Sequence, residues 1–307
     1  MEERIRVLFL FLLILIMSIN GAMISKAEGG GNVQEKNVSR NELKKEYAVL
    51  TNYIKVHNIG VDLSYDTFEE EYYNTNANNI NEYIQLYYDL FTDSEEGSKF
   101  KSFPVINSSG AKKWYYNTGE RLPRAASYSK YNLLKIVEPG DIIYEANGGL
   151  GVTGHIAIVE GVFYDEKYQQ YYIRIIEAID AGVCRSVLDD QRADEKDITI
   201  FKVKGASEEK TEKAIAFCKS QIGKEYYLDL KKNTSKKEKN WYCSELVWAS
   251  YYRQDINIET TGKVNEPGIT PRDIKRSAKT EEKSFIKIGT PEIKGITSNT
   301  ASTVDIV

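Results

Sequence analysis

The sequence predicts an α+β fold in which an antiparallel sheet is packed by a short helix and preceded by a helical amino-terminal region. Two β-branched runs, Gly154-His-Ile-Ala-Ile-Val-Glu-Gly161 and Tyr171-Tyr-Ile-Arg-Ile-Ile-Glu-Ala-Ile179, flank the polar connection Tyr164-Asp-Glu-Lys-Tyr168, which is the pattern of a hairpin. After Cys243, the residues Leu246, Val247, Ser250 and Tyr251 recur at the three-and-four spacing of an amphipathic helix. Upstream, Leu43, Tyr47, Leu50 and Ile54, and then Ile80, Tyr83, Ile84, Tyr87, Leu90 and Phe91, mark two further helices.

In chain order, Arg4 and Arg6 precede an apolar run from Val7 to Met17, and Ser25-Lys-Ala27 offers small residues where a signal peptidase reads. Residues 1–27 are therefore expected to be a signal peptide cleaved near Ala27. The apolar run is shorter than the roughly 20 residues of a spanning helix, so the mature chain is expected to carry no transmembrane segment. A secreted or envelope-associated protein follows, and with no cysteine after the run, no lipidated amino terminus is expected.

Residues 28–134 read as a helical region. It opens with a glycine-rich polar leader to Lys36, and Ser39-Arg-Asn-Glu42 has the form of a capping box before the first helix. His57 falls on that helix's apolar edge near Gly60, a packed or helix-terminal position. Residues 135–289 form the main domain. Within it the charged run Lys231–Lys239 reads as a solvated loop, and Ser284-Phe-Ile-Lys-Ile288 as a final strand. Residues 290–307 read as a flexible tail.

The chain has 307 residues, a formal charge of -4 and 41% hydrophobic content, enough to bury a core but with no basic excess for neutralising phosphates. A nucleic-acid partner is not expected. Three cysteines in an exported chain leave at least one free thiol. Cys218 lies at helical spacing with Ala214, Ile215 and Ile222 and reads as a buried hydrophobe; Cys184 follows Asp180-Ala-Gly182 in a short strand. A Cys184–Cys218 bridge is compatible with the count, and the distance between them decides it.

Cys243 differs, because it opens a helix, where unpaired N–H groups and the positive end of the dipole favour a thiolate. Those donors can also stabilise an oxyanion, which points to acyl transfer. His155 sits on a strand, with Ala157 and Val159 on the same face. A hairpin centred near Glu166 sets His155 opposite Glu177, a base and its orienting carboxylate. Glu160 is an odd number of residues from His155 and should face the other way; a one-residue slip in register would undo the pairing. Metal-ligand spacings such as Cys-x-x-Cys and His-x-x-x-His around a helix are absent, and the chemistry requires no cofactor.

Gly140-Asp-Ile-Ile143, the Gly-His-Ile-Ala-Ile-Val run, Ile-Glu-Ala178, Gly223-Lys-Glu-Tyr226, Tyr242-Cys-Ser-Glu-Leu-Val-Trp248 and Ile-Thr-Pro-Arg-Asp-Ile274 stand in an order that resembles the permuted papain-like amidases. These are the YiiX/YebB-like relatives of the NlpC-type cell-wall peptidases. The resemblance spans roughly residues 136–277. It implies a papain-like sheet-and-helix fold with Cys243 as nucleophile, His155 as general base and Glu177 as third member. It also implies Tyr226 and Tyr242 as aromatic walls of the site. The histidine precedes the cysteine, as permutation requires.

The leading functional expectation is a secreted cysteine amidase or peptidase acting on peptidoglycan stem peptides or a similar peptide-like amide. A thiol acyltransferase or deacylase acting on acyl lipids is the alternative on the same fold. A wall-binding module with a vestigial triad is the third.

Overall fold

A computed structural model describes residues 36, 38–75, 77–91, 114–116, 122–148, 154–261 and 265–288. The expected signal peptide and carboxy-terminal tail lie outside the described residues, as does most of the 28–36 leader. The described residues belong to one compact unit.

Three helices come first. Helix α1 (Arg40–Val56) starts at Ser39, whose hydroxyl accepts the Glu42 N–H, the forward half of the expected capping box. It ends at His57, the C-cap, whose ring stacks at 4.3 Å on Tyr53. Helix α2 (Tyr65–Asn74), absent from the sequence reading, buries Thr67, Phe68, Glu71 and Tyr72, a face too polar to register as an apolar stripe. Helix α3 (Ile80–Phe91) completes a core of Leu43, Leu50, Phe68, Tyr83 and Tyr87, which also takes in Leu230 from far along the chain. Phe68 is fully buried between Tyr47, Tyr83 and Tyr87. Phe68→Ala should therefore cost about 3–5 kcal/mol, read as a lower urea midpoint at an unchanged slope.

The rest is built on an antiparallel sheet. Its strands are β1 (Tyr115–Tyr116), β2 (Ile142–Glu145), β3 (His155–Asp165), β4 (Gln170–Ile179), β5 (Gly182–Leu188), β6 (Ile198–Val203) and a strand at Thr280–Lys283. The short helices α4 (Leu133–Ile136) and α5 (Asp190–Lys196) intervene. After β6 come α6 (Glu208–Gln221), the parallel pair β7 (Glu225–Tyr226) and β8 (Asn240–Trp241), α7 (Cys243–Tyr252) and α8 (Pro271–Lys275); Thr280–Lys283 is then β9. The sheet order is β1-β5-β4-β3-β2-β6-β9.

Period-two alternation divides the sheet into two cores. Ile156, Ile158, Ile176 and Ala178 pack against Ala214, Phe217 and Cys218 of α6 and Leu246, Val247 and Trp248 of α7. On the opposite face Ala157, Val159, Ile173 and Ile175 meet Leu133 of α4 and Ala193 of α5.

Three expectations are corrected. The last strand is Thr280–Lys283, not Ser284–Ile288; its charged residues Glu281, Glu282 and Lys283 suit the sheet edge, where it pairs with β6. The 286–288 backbone instead bonds to Lys130 and Asn132. The basic run is only partly a solvated loop: Lys232 pairs with Glu259 at 2.8 Å, and the Asn233 N–H donates to Glu245 of α7. The β3–β4 turn lies at Glu166–Gln169, with Asp165 opposite Gln170, and a bulge at Glu160 then shifts the register so that Ile158 faces Ile176. Continued one step, that register sets Glu177 beside Ala157, two pairs from His155 along the ladder and on the same face. Without the bulge, counting from the turn would put Glu177 opposite Ile158 and hence on the wrong face.

Candidate active site

Cys243 is the first residue of α7, after Tyr242 in an extended N-cap conformation with no side-chain cap. The N–H groups of this first turn lack intrahelical partners, and the dipole's positive end lies at the thiol. The Ser244 Oγ lies 3.9 Å from Sγ while donating to the Ile269 carbonyl at 2.6 Å, and the Ile156 N–H favours the thiolate.

His155 is the first residue of β3, and its ring and the Cys243 thiol each favour the charged form of the other. Gly154 before it has φ +83°, and a Cβ there would lie 2.7 Å from the Glu145 carbonyl oxygen, so the strand can enter at this angle only through glycine. One ring nitrogen is engaged: His155 Nε2 lies 2.6 Å from Glu177 Oε2. With Glu177 ionised, Nε2–H donates and Nδ1 is left to meet the thiol. Cys243, His155 and Glu177 are all buried, with the imidazole bonded to Glu177 and acting on the thiol.

Burial opposes charge on each group, and neighbours overcome it. His155 holds the Cys243 thiol below its ordinary range, despite burial. The imidazole in turn is raised to about 10, burial being outweighed by Cys243 and Glu177. Glu177 is held well below the carboxylate range, burial being outweighed by Arg192 and His155. The other two thiols behave in the opposite way: burial raises Cys184, and pushes Cys218 up to about 12. All three cysteines are free, so Cys184 and Cys218 form no bridge.

The two aromatic candidates separate. Tyr226 is part-buried on the α6–α7 core, and its phenol is raised first by burial and then by the charge of Cys243. Tyr242 is a correction. It is 1% exposed, and its hydroxyl donates to the Lys231 carbonyl at 2.6 Å while accepting the Ile269 N–H at 3.1 Å, so it ties the helix entry to two loops and presents no surface to a substrate.

Two residues of the cluster carried no signal in the sequence. Glu145 stands directly across from His155 in the β2–β3 ladder, and Arg192 of α5 reaches both Glu145 and Glu177. Glu160, the rival carboxylate, faces away and binds Arg174 and Arg185. Among the described residues no group of three or more His, Cys, Asp or Glu side chains could hold a metal ion, and no helix is long and apolar enough to cross a membrane.

No curated protein matches the chain. Among solved structures, the crystal structure of the metalloprotein yiiX from Escherichia coli O157:H7 (DUF1105) is similar at 16% identity and a TM-score of 0.34, covering 48% of this chain and 96% of that one. The sequence model of the permuted papain-like amidases, the YaeF/YiiX or C92 family, matches residues 130–301, a stretch that holds His155, Glu177, Cys243 and the whole sheet from β2 onward. With a histidine-bearing strand ahead of a cysteine-bearing helix in an antiparallel sheet-and-helix fold, this chain belongs to that family.

Proposed function

We propose that the protein is an exported cysteine amidase that hydrolyses amide bonds in peptidoglycan stem peptides, with Cys243 as nucleophile, His155 as general base and Glu177 as the carboxylate that orients the imidazole. The observation that carries this reading is the 2.6 Å contact of His155 Nε2 with Glu177 Oε2, joined to the effect of that imidazole on Cys243, the thiol alone of the three cysteines held below its ordinary range. Membership of an amidase family supports hydrolysis of an amide. The basic and apolar pattern of residues 4–17, followed by Ser25-Lys-Ala27, supports export, and export brings a wall polymer within reach.

The chemistry follows from the geometry. The Cys243 thiolate attacks the amide carbonyl, forming an S–C bond, and the oxyanion is stabilised by N–H groups at the start of α7. His155 passes its Nδ1 proton to the departing amine as the C–N bond breaks. Water, giving a proton to His155, then cleaves the thioester, releasing the acid and restoring the thiol–imidazole pair. Glu177 holds the ring so that Nδ1 faces the sulfur through both steps. Tyr226 forms one wall beside the thiol.

Mass spectrometry of wall muropeptides incubated with the protein and with Cys243→Ala tests the reading. Stem fragments released by the first alone are expected. No cleavage by either under reducing conditions, while Cys243 is alkylated, would sink the peptidoglycan assignment and turn the search to acyl lipids.

A further inference from the structure

We propose that Arg192 is the positioning residue of this site: its guanidinium grips Glu177 and Glu145 from one side of the sheet, so that Glu177 stays ionised and aimed at His155. The proposal rests on the reading of Cys243, His155 and Glu177 just given, and adds a residue that does not itself touch the reacting atoms.

The geometry is that of a clamp across three strands. His155 lies on β3, Glu145 on β2 and Glu177 on β4, the neighbours on either side. Arg192 projects from α5 under this trio. Its two terminal nitrogens donate to both oxygens of Glu177, at 3.0 Å to Oε1 and 2.6 Å to Oε2, and its Nε donates to Glu145 Oε1 at 2.5 Å. A planar fork meeting a carboxylate through two parallel bonds fixes the carboxylate plane, which a single ammonium cannot do. The oxygen thus fixed, Oε2, is the one that receives His155 Nε2–H.

The arginine is itself held in place. It is 3% exposed, its own N–H donates to Asp189 at the start of α5, and Asp189 is gripped by Arg124 at 2.6 and 3.0 Å. The Trp114 ring covers the guanidinium at 5.6 Å.

Charge counting gives the clamp its second role. The titratable groups facing Glu177 are His155 from β3, Cys184 from β5 and Arg192 from α5, with Glu145 of β2 beyond the guanidinium. Cys184 stays neutral, because burial raises its thiol. Burial works against the Glu177 charge, and Arg192 is the chief group that offsets it. Without Arg192, Glu177 loses that cation and both donors that set the plane of its carboxylate, and keeps only the imidazole as partner. Its hold on the imidazolium then weakens, and the thiol loses part of the cation that favours its thiolate.

The test needs no substrate. The rate of iodoacetamide alkylation of Cys243 is followed against pH by intact mass spectrometry, for the full protein and for Arg192→Met. The wild-type midpoint should lie below the ordinary thiol value of about 8.5. In Arg192→Met it should rise by about one unit or more, a tenfold loss of alkylation rate at pH 6.5, while Arg192→Lys, which keeps the charge, should recover most of the shift. Cys184 and Cys218 report the fold, since they are 1% and 0% exposed against 7% for Cys243, burial raises both thiols, and both should stay unmodified. If Arg192→Met exposes all three thiols, Arg192→Gln, which can still donate to one carboxylate, carries the same comparison. A folded neutral variant titrating with the wild type overturns the Arg192 proposal and leaves the nucleophile assignment standing. A wild type titrating as an ordinary thiol overturns that assignment, and the Arg192 proposal with it.

Discussion

His155→Ala should lower kcat on an amide substrate by about 10⁴-fold, the upper range for loss of a general acid–base group. Two effects combine. No group would remain to protonate the leaving amine, and the thiol would lose the imidazolium that offsets its burial. The sign follows from the directions of the shifts. With His155 present, Cys243 releases its proton below the ordinary thiol range and the imidazolium holds its own to about 10, so kcat/KM should rise on a low-pH limb, stay level, and fall as His155 deprotonates near 10. Without His155, only the Ile156 N–H, Ser244 and the helix start oppose burial, so the thiol midpoint rises and alkylation at pH 7 should drop together with turnover. A variant that keeps the broad plateau would remove His155 from the mechanism. Glu177 titrates far below this window and sets neither limb.

What could be read from the sequence depended on how local its cause was. The thiol at a helix start and the imidazole on a strand are each properties of a few consecutive residues, and both stand in the structure as read. The pairing of His155 with Glu177 depended on register. The regular hairpin expected around Glu166 and the observed hairpin, with a later turn and a bulge at Glu160, differ by two in the sum of paired residue numbers, so the same face results by a different route. Arg192 could not be read at all. It lies 47 residues from Glu145 and 15 from Glu177, and only the packing of α5 over β2, β3 and β4 brings the three together. Tyr242 was misread because an aromatic residue beside a thiol looks the same in sequence whether it faces a cleft or, as here, the Lys231 and Ile269 backbone. Helix α2 escaped because its buried face includes Thr67, bonded to the Ser64 cap, and Glu71, whose partners come from elsewhere in the fold: it accepts from the Gly268 N–H and pairs with Lys232.

Glu160→Gln should separate the two carboxylates that flank the same strand, lowering stability by about 3 kcal/mol while leaving the reactivity of Cys243 unchanged. Glu160 occupies the bulge, is 7% exposed, and accepts from Arg174 and Arg185 at 2.8 Å each, with Lys219 at 3.5 Å. An amide of the same size keeps some of these bonds but leaves two part-buried guanidiniums facing a neutral group; the figure sits at the low end for a broken buried pair because both arginines keep some contact with water. The pH dependence carries the same signature. Burial alone would raise the Glu160 carboxyl, yet the two arginines hold it below its ordinary range, so its contribution is present above the ordinary carboxylate value and is lost as pH falls through the lower folded value. Urea midpoints of the wild type should therefore fall in acid more steeply than those of Glu160→Gln. Glu177→Gln should do the reverse at the thiol: it removes the imidazolium's partner and raises the alkylation midpoint of Cys243. If Glu160→Gln moved that midpoint and Glu177→Gln did not, the orienting carboxylate would be Glu160, and the face assignment that the bulge imposes on β3 would be wrong.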